Sequence, residues 1–283
     1  MTNLVNRTRF GTNARSVFAQ AASMSAFDSA PKKASGGITI YCPSDEPIQI
    51  AFPKQTFSHI SQVTLSGDGK FVAVIGNAID HGPSTPSVRI MIWNIDSRQI
   101  VFNQTEKREF NRIELNRDAS GVIFYVAHGS AKKSDRLRVV ASVWNVRRAK
   151  EIHSIQYDDD IDSATWHPTQ PVLFLTTLGF SGSNTKQLLR WSLVNNKLER
   201  FSSEVMPNFV RIEASPDGKE LAITSHGSEA IRLIDATTGE VSRTLFHPES
   251  QVESISYTSD GRELRAVTNQ GYLLRWNLDR GPD

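Results

Sequence analysis

An all-β fold of five repeated units, each a four-stranded antiparallel sheet, is predicted by three observations. Tryptophan-bearing strands recur at a near-constant interval, a turn signature recurs upstream of each, and short apolar runs fill the stretches between. Trp93, Trp144, Trp191 and Trp276 each follow a β-branched or Leu-rich run and precede Asn or Ser, and Ile234 takes the tryptophan place in Leu233-Ile234-Asp235-Ala236. The intervals are 51, 47, 43 and 42 residues. That period, with four strands to a repeat, is one blade of a β-propeller.

The elements of a unit follow in order. Its turn signature is Ser66-Gly67-Asp68-Gly69-Lys70 in the first unit, Asn116-Arg117-Asp118-Ala119-Ser120 in the second, Ser215-Pro216-Asp217-Gly218-Lys219 in the fourth and Thr258-Ser259-Asp260-Gly261-Arg262 in the fifth. His167-Pro168-Thr169-Gln170 fills the slot in the third. Asp-Gly between apolar runs is a hairpin signal, because glycine supplies the positive φ the turn demands. Runs such as Phe71-Val72-Ala73-Val74-Ile75 and Leu221-Ala222-Ile223-Thr224 come next and suit a strand buried on both faces. A Gly-containing turn, the tryptophan strand, a polar turn and a weaker fourth strand complete the unit. Each tryptophan reads as core, and so does Trp166 at the end of a first strand.

On these residues the sequence resembles the WD-repeat family over residues 57–278, five units in order. The resemblance implies a propeller that holds other proteins. Two details depart from the family pattern: Trp-Asn stands for Trp-Asp, and the Gly-His before the first strand is missing. Only His59 is placed to serve the hydrogen-bond network that the family builds from Asp, His, Ser and Trp.

The fifth unit has three strands, and too few residues follow Leu278 for a fourth. Upstream lies a hairpin of Ile38-Thr39-Ile40-Tyr41, a Pro-Ser-Asp-Glu turn at 43–46 and Ile48-Gln49-Ile50-Ala51-Phe52. Propellers remove exposed edges by closing the ring, so residues 47–52 are expected to complete the last blade, giving five blades with Ile38–Tyr41 as an extra outer strand. The alternative is a six-bladed ring whose incomplete first blade is finished by a partner, in architecture similar to coat and nuclear-pore propellers.

Composition bounds the function classes. Apolar residues make up 39% and charged residues 22%, an ordinary globular balance. No apolar run approaches the ~20 residues of a membrane span. The single cysteine, Cys42, leaves no internal disulfide and no Cys-based zinc cluster, which fits the cytoplasm or another reducing compartment. Within residues 1–36, Arg7, Arg9, Arg15, Lys32 and Lys33 face one acid, Asp28, a net +4; the chain totals +2, so the other 247 residues carry −2. A near-neutral body is not the footprint of a duplex-DNA reader, and nucleic acid is a candidate partner only for the basic arm.

Residues 1–36 therefore form a basic N-terminal arm and residues 37–283 the repeat body. The arm also carries Val17, Phe18, Ala21, Ala22 and Met24 at helical spacing. It reads first as a docking arm through Arg7, Arg9, Arg15 and Phe18. It resembles, second, a mitochondrial transit peptide.

Candidate sites sit on the loops between second and third strands, which are long at Gly76–Ser87, His128–Arg136 and Gly179–Lys186 and tight in the last two units. A rigid scaffold places recognition on such loops. The rim candidates are His81, His128, Lys132, Lys133, Arg136, Phe180 and Asn184, with the acidic run Asp158, Asp159 and Asp160 as a contact for a basic segment or as solvated loop charge. His226 and His247 share this side, but His-Gly reflects turn geometry and no carboxylate recurs beside it, so no metal is expected. The acidic run lacks the Gly and distal Glu of a calcium loop. Nucleophile-elbow, phosphate-loop and His-Glu-x-x-His motifs are absent, and no cofactor is called for. The expected function is a non-catalytic scaffold or assembly subunit that binds other protein subunits. The alternative is a lactonase- or dehydrogenase-like propeller enzyme, or a small-ligand binder, using the central channel, which would converge titratable groups on the axis.

Overall fold

The computed structural model describes residues 9–10, 16–17, 19–21, 37–42, 45–53, 56–78, 87–127, 138–179, 186–202, 209–225, 228–247 and 251–279. Strands β1 (Arg9–Phe10) and β2 (Ser16–Val17) pair with each other, and β3 (Ala19–Ala21), β4 (Gly37–Cys42) and β5 (Asp45–Ala51) form a three-stranded antiparallel sheet. The repeat units follow in chain order. The first comprises β6 (Phe57–Leu65), β7 (Phe71–Ala78), β8 (Val88–Asn94) and β9 (Ile100–Glu106). The second is β10 (Arg112–Leu115), β11 (Gly121–Tyr125), β12 (Arg138–Asn145) and β13 (Lys150–Tyr157). The third is β14 (Ile161–Trp166), β15 (Val172–Thr177), β16 (Leu188–Ser192) and β17 (Lys197–Arg200), and the fourth β18 (Phe209–Ala214), β19 (Glu220–Ser225), β20 (Ala230–Asp235) and β21 (Val241–Phe246). The fifth has β22 (Val252–Tyr257), β23 (Glu263–Thr268) and β24 (Leu273–Asn277). In every sheet the strands pair in sequence order. The fold is all-β, five antiparallel sheets of the propeller-blade type. Among the described residues no helix is long and apolar enough to cross a membrane.

The turn from first to second strand is built the same way three times. The Ser66, Ser215 and Thr258 hydroxyls donate to Asp68, Asp217 and Asp260 at 2.6, 2.7 and 2.6 Å, and each carboxylate also accepts the amide two residues on. The same hydroxyl oxygen accepts the amide that opens the second strand, Phe71, Glu220 or Glu263. Gly69, Gly218 and Gly261 take φ of +70°, +75° and +72°, which explains the glycine after the aspartate. In the second unit Asn116 replaces the hydroxyl residue and accepts the Gly121 amide, while Ala119 takes the left-handed place at φ 53°. In the third, His167 Nδ1 accepts the Thr169 and Gln170 amides. Burial pulls the Asp217 carboxyl up, but the Lys219 amide and Ser215 hydroxyl outweigh it and hold it below the usual carboxylate range. The Thr258 hydroxyl and the Arg262 amide do the same for Asp260.

Two compact units divide the chain, one of Met1–Tyr125 with Val143–Ile152 and one of Val126–Ser142 with His153–Asp283. In the first unit, Ile38, Ile40, Ile50 and Phe52 pack against Val63, Leu65, Val72, Val74, Met91 and Trp93. A second aromatic group joins Phe102, Phe110, Phe124 and Trp144, with ring centroids about 6 Å apart. In the second unit, Val172, Phe174, Leu188, Leu221, Ile223 and Ile234 form one core, and Leu233, Leu245, Ile255, Tyr257, Leu264 and Ala266 another. Trp93, Trp144, Trp191 and the substituting Ile234 are buried; Trp166 and Trp276 are half-buried.

Three expectations change. The hairpin of Ile38–Tyr41 and residues 47–52 forms as β4 and β5, Ile38 opposite Ile50 and Ile40 opposite Ile48, but among the described residues β5 has no pairing with Tyr272–Leu278, where it was also expected. Two apolar runs joined by a short turn close locally at small entropic cost, and their apolar face is covered by the sheet β6–β9, where Phe52 lies 5.6 Å from the Trp93 ring. Ile38–Tyr41 is accordingly inside the middle strand of a separate sheet rather than an extra outer strand, and β22-β23-β24 has three strands among the described residues. Finally, His59 is exposed on β6 opposite Asn77, and the Trp191 indole donates to Asn196 instead, at 2.9 Å. For Trp191 the partner therefore lies inside its own hairpin.

Trp191→Ala is expected to lower the unfolding free energy by about 3–5 kcal/mol through the cavity it leaves. Denaturant titration showing a loss under about 1 kcal/mol would mean that the indole is not core.

Candidate functional site

The long connections between second and third strands spring from fixed bases. Beneath residues 79–86 the Ala78 amide donates to the Ser87 carbonyl at 3.0 Å, and beneath residues 128–137 the Val126 amide donates to Val140 at 2.9 Å. Beneath residues 180–185 the anchoring is heavier. The Thr177 amide donates to Gln187, the Leu178 amide to Asp160, and the Gln187 amide to the Thr177 hydroxyl.

The acidic run belongs to this third base. Asp158 is exposed, but Asp159, Asp160 and Asp162 are 5%, 3% and 8% exposed, so they are not solvated loop charge. Asp159 accepts the Gly179 amide on Oδ2 at 2.6 Å and the Asp160 amide on Oδ1 at 2.9 Å. A carboxylate accepting backbone N–H groups away from water is a strong clamp. Asp162 pairs with Lys186 at 3.2 Å, both largely buried, tying the far end of the loop to β14. The Tyr157 hydroxyl donates to Gln187 at 3.0 Å. Burial, then the Asp158 and Asp159 charges, push its phenol above the ordinary range, so it remains a donor.

Of the residues singled out in the sequence, Asp158, Asp159 and Asp160 therefore come together at the base of the third loop, two of them as its buried support. His81, His128, Lys132, Lys133, Arg136, Phe180 and Asn184 lie outside the described residues, as do Arg7, Arg15 and Phe18 in the arm; Arg9 lies in β1, its backbone paired with Val17. His247 is buried with its ring 6.4 Å from Trp276. Among the described residues no three His, Cys, Asp or Glu side chains are grouped to hold a metal. Sequence reasoning missed Gly179, Lys186 and Gln187 as partners of the acidic run. Their signal was position alone, since they flank the loop whose other side the run supports.

No protein-family profile matches the chain, and no curated protein is similar to it at a significant level.

Asp159→Ala leaves the Gly179 amide without its carboxylate and is expected to cost about 1–3 kcal/mol, with hydrogen exchange at Gly179 accelerated more than at the strand amides. Unchanged exchange at Gly179 would show that the clamp does not hold the loop.

Proposed function

We propose that this chain is a divergent WD-repeat-like propeller acting as a non-catalytic scaffold or assembly subunit, which holds other protein subunits on its second-to-third-strand loops and through the basic arm. The observation that carries the reading is the buried support under residues 180–185. Asp159 and Asp162 are committed to the Gly179 amide and to Lys186, so these buried acids serve to hold the ends of the loop. Fixed loop ends at Gly179 and Lys186 suit a segment used for recognition. The basic residues Lys132, Lys133 and Arg136 on the preceding loop are the complementary choice for an acidic partner surface.

The test is affinity capture of the full-length protein beside two variants that preserve the core, Lys132→Glu/Lys133→Glu/Arg136→Glu and Arg7→Glu/Arg9→Glu/Arg15→Glu. Protein partners captured by the wild type are expected to be lost or depleted at least about tenfold with the loop variant, and weakened with the arm variant. Identical partner sets from all three would contradict binding through the loops and the arm.

A further inference from the structure

One tetrapeptide occurs twice as a third strand, with two fates. Leu188-Leu189-Arg190-Trp191 lies in β16 and Leu273-Leu274-Arg275-Trp276 in β24. In β16, Leu188 and Leu189 are each 2% exposed and Trp191 is fully buried. In β24, Leu273 is 47% exposed, and Leu274 and Trp276 are only half-buried. The difference is the fourth strand. β17 covers β16, with Leu198 opposite Trp191 and Glu199 opposite Arg190. Among the described residues β24 has β23 on one side and no strand on the other.

The backbone of β24 is set up as that of β16 is. The Tyr272 carbonyl accepts the Thr268 amide and the Leu278 amide donates to Arg262, so by antiparallel alternation the amides and carbonyls of Leu273, Arg275 and Asn277 point to the open edge. In β16 the equivalent Leu188 carbonyl accepts the Phe201 amide at 2.8 Å. Around the open edge the surface is apolar: Phe246 is 76% and Tyr272 61% exposed, and the Trp276 indole donates to the Phe246 carbonyl. An exposed, apolar edge strand is a template for another strand.

We infer that β24 takes a fourth strand from a partner protein: an extended segment running antiparallel to it, with an apolar residue opposite Trp276 followed directly by an acidic residue opposite Arg275. The pattern is that of Lys197-Leu198-Glu199-Arg200 in β17. The inference rests on the scaffold reading and names how one partner attaches. Charge disfavours a second copy, because β24 contains no acid: Arg275, 3.9 Å from Glu263 on its own sheet, would meet no new acid and could face its own copy, which is destabilising. The chain's own β5 is engaged with β4 and buries Ile50 and Phe52 against another sheet.

The probe is a synthetic peptide with the sequence of residues 196–202, Asn-Lys-Leu-Glu-Arg-Phe-Ser, titrated into the full-length protein and followed by backbone chemical shifts and tryptophan fluorescence. Saturable binding is expected, with the largest shifts at Leu273, Arg275 and Asn277. The peptide carrying Glu199→Lys should bind about fivefold more weakly, and the protein variant Arg275→Glu should reverse that preference. No saturation up to about 1 mM, or no charge preference, overturns the inference and leaves the loop reading to its own capture experiment. Binding that appears only after removal of residues 1–36 would identify the chain's own arm as the occupant. A dimer that Arg275→Glu dissociates would identify a second copy. Either result overturns assignment to a partner.

Discussion

First strands have to satisfy their backbone where water does not reach, and the chain does so by lending side chains from one first strand to the next. In the first unit the Gln62 carbonyl oxygen accepts the Ile113 amide at 3.0 Å, and the Thr64 hydroxyl reaches Glu114. In the third repeat, Ser163 accepts the Ile212 amide and Thr165 the Ala214 amide, at 3.4 and 3.3 Å. Each pair lies 49 to 51 residues apart, so two polar side chains on β6 and two on β14 carry the repeat period into contact with the next first strand, β10 and β18. The rest of each sheet follows from that placement. The second strand β15, buried along its whole length, is apolar over Val172–Leu175 and ends in the buried Thr176 and Thr177. The third carries the indole, and the fourth, with one side in water, carries charge, as in Lys197–Arg200.

Much of this was legible in the sequence because its causes are local. The Ser/Thr-x-Asp-Gly turn closes through contacts two and five residues apart, so its residues announce it. Tryptophans spaced at blade intervals announced the third strands. What could not be read was which strand pairs with which when two partners are chemically acceptable. The hairpin of Ile38–Tyr41 with Ile48–Phe52 was readable, but whether its second strand also lies beside β24 was not; its apolar face packs instead against Trp93 and its neighbours. The acidic run was misleading for a similar reason. Asp159 looks solvated until the Gly179 amide arrives from 20 residues away.

The candidate sites divide along the same line. The loop bases are rigid because buried side chains hold them, as Asp159 and Asp162 do under the third loop. The last sheet is the opposite case: a tryptophan strand with the sequence of a covered one, but with Leu273 at the surface. Among the described residues the structure thus holds both fixed loop bases and a third strand with no fourth beside it.

The central claim, that burial in this protein is set by each third strand's access to a fourth, is tested most directly by residue-resolved hydrogen exchange on the isolated chain. The account predicts slow exchange at the Leu188, Arg190 and Ser192 amides and fast exchange at the equivalent Leu273, Arg275 and Asn277, with the Leu274 and Trp276 amides facing β23 protected. Equal protection of the two sets in the absence of any partner would contradict it.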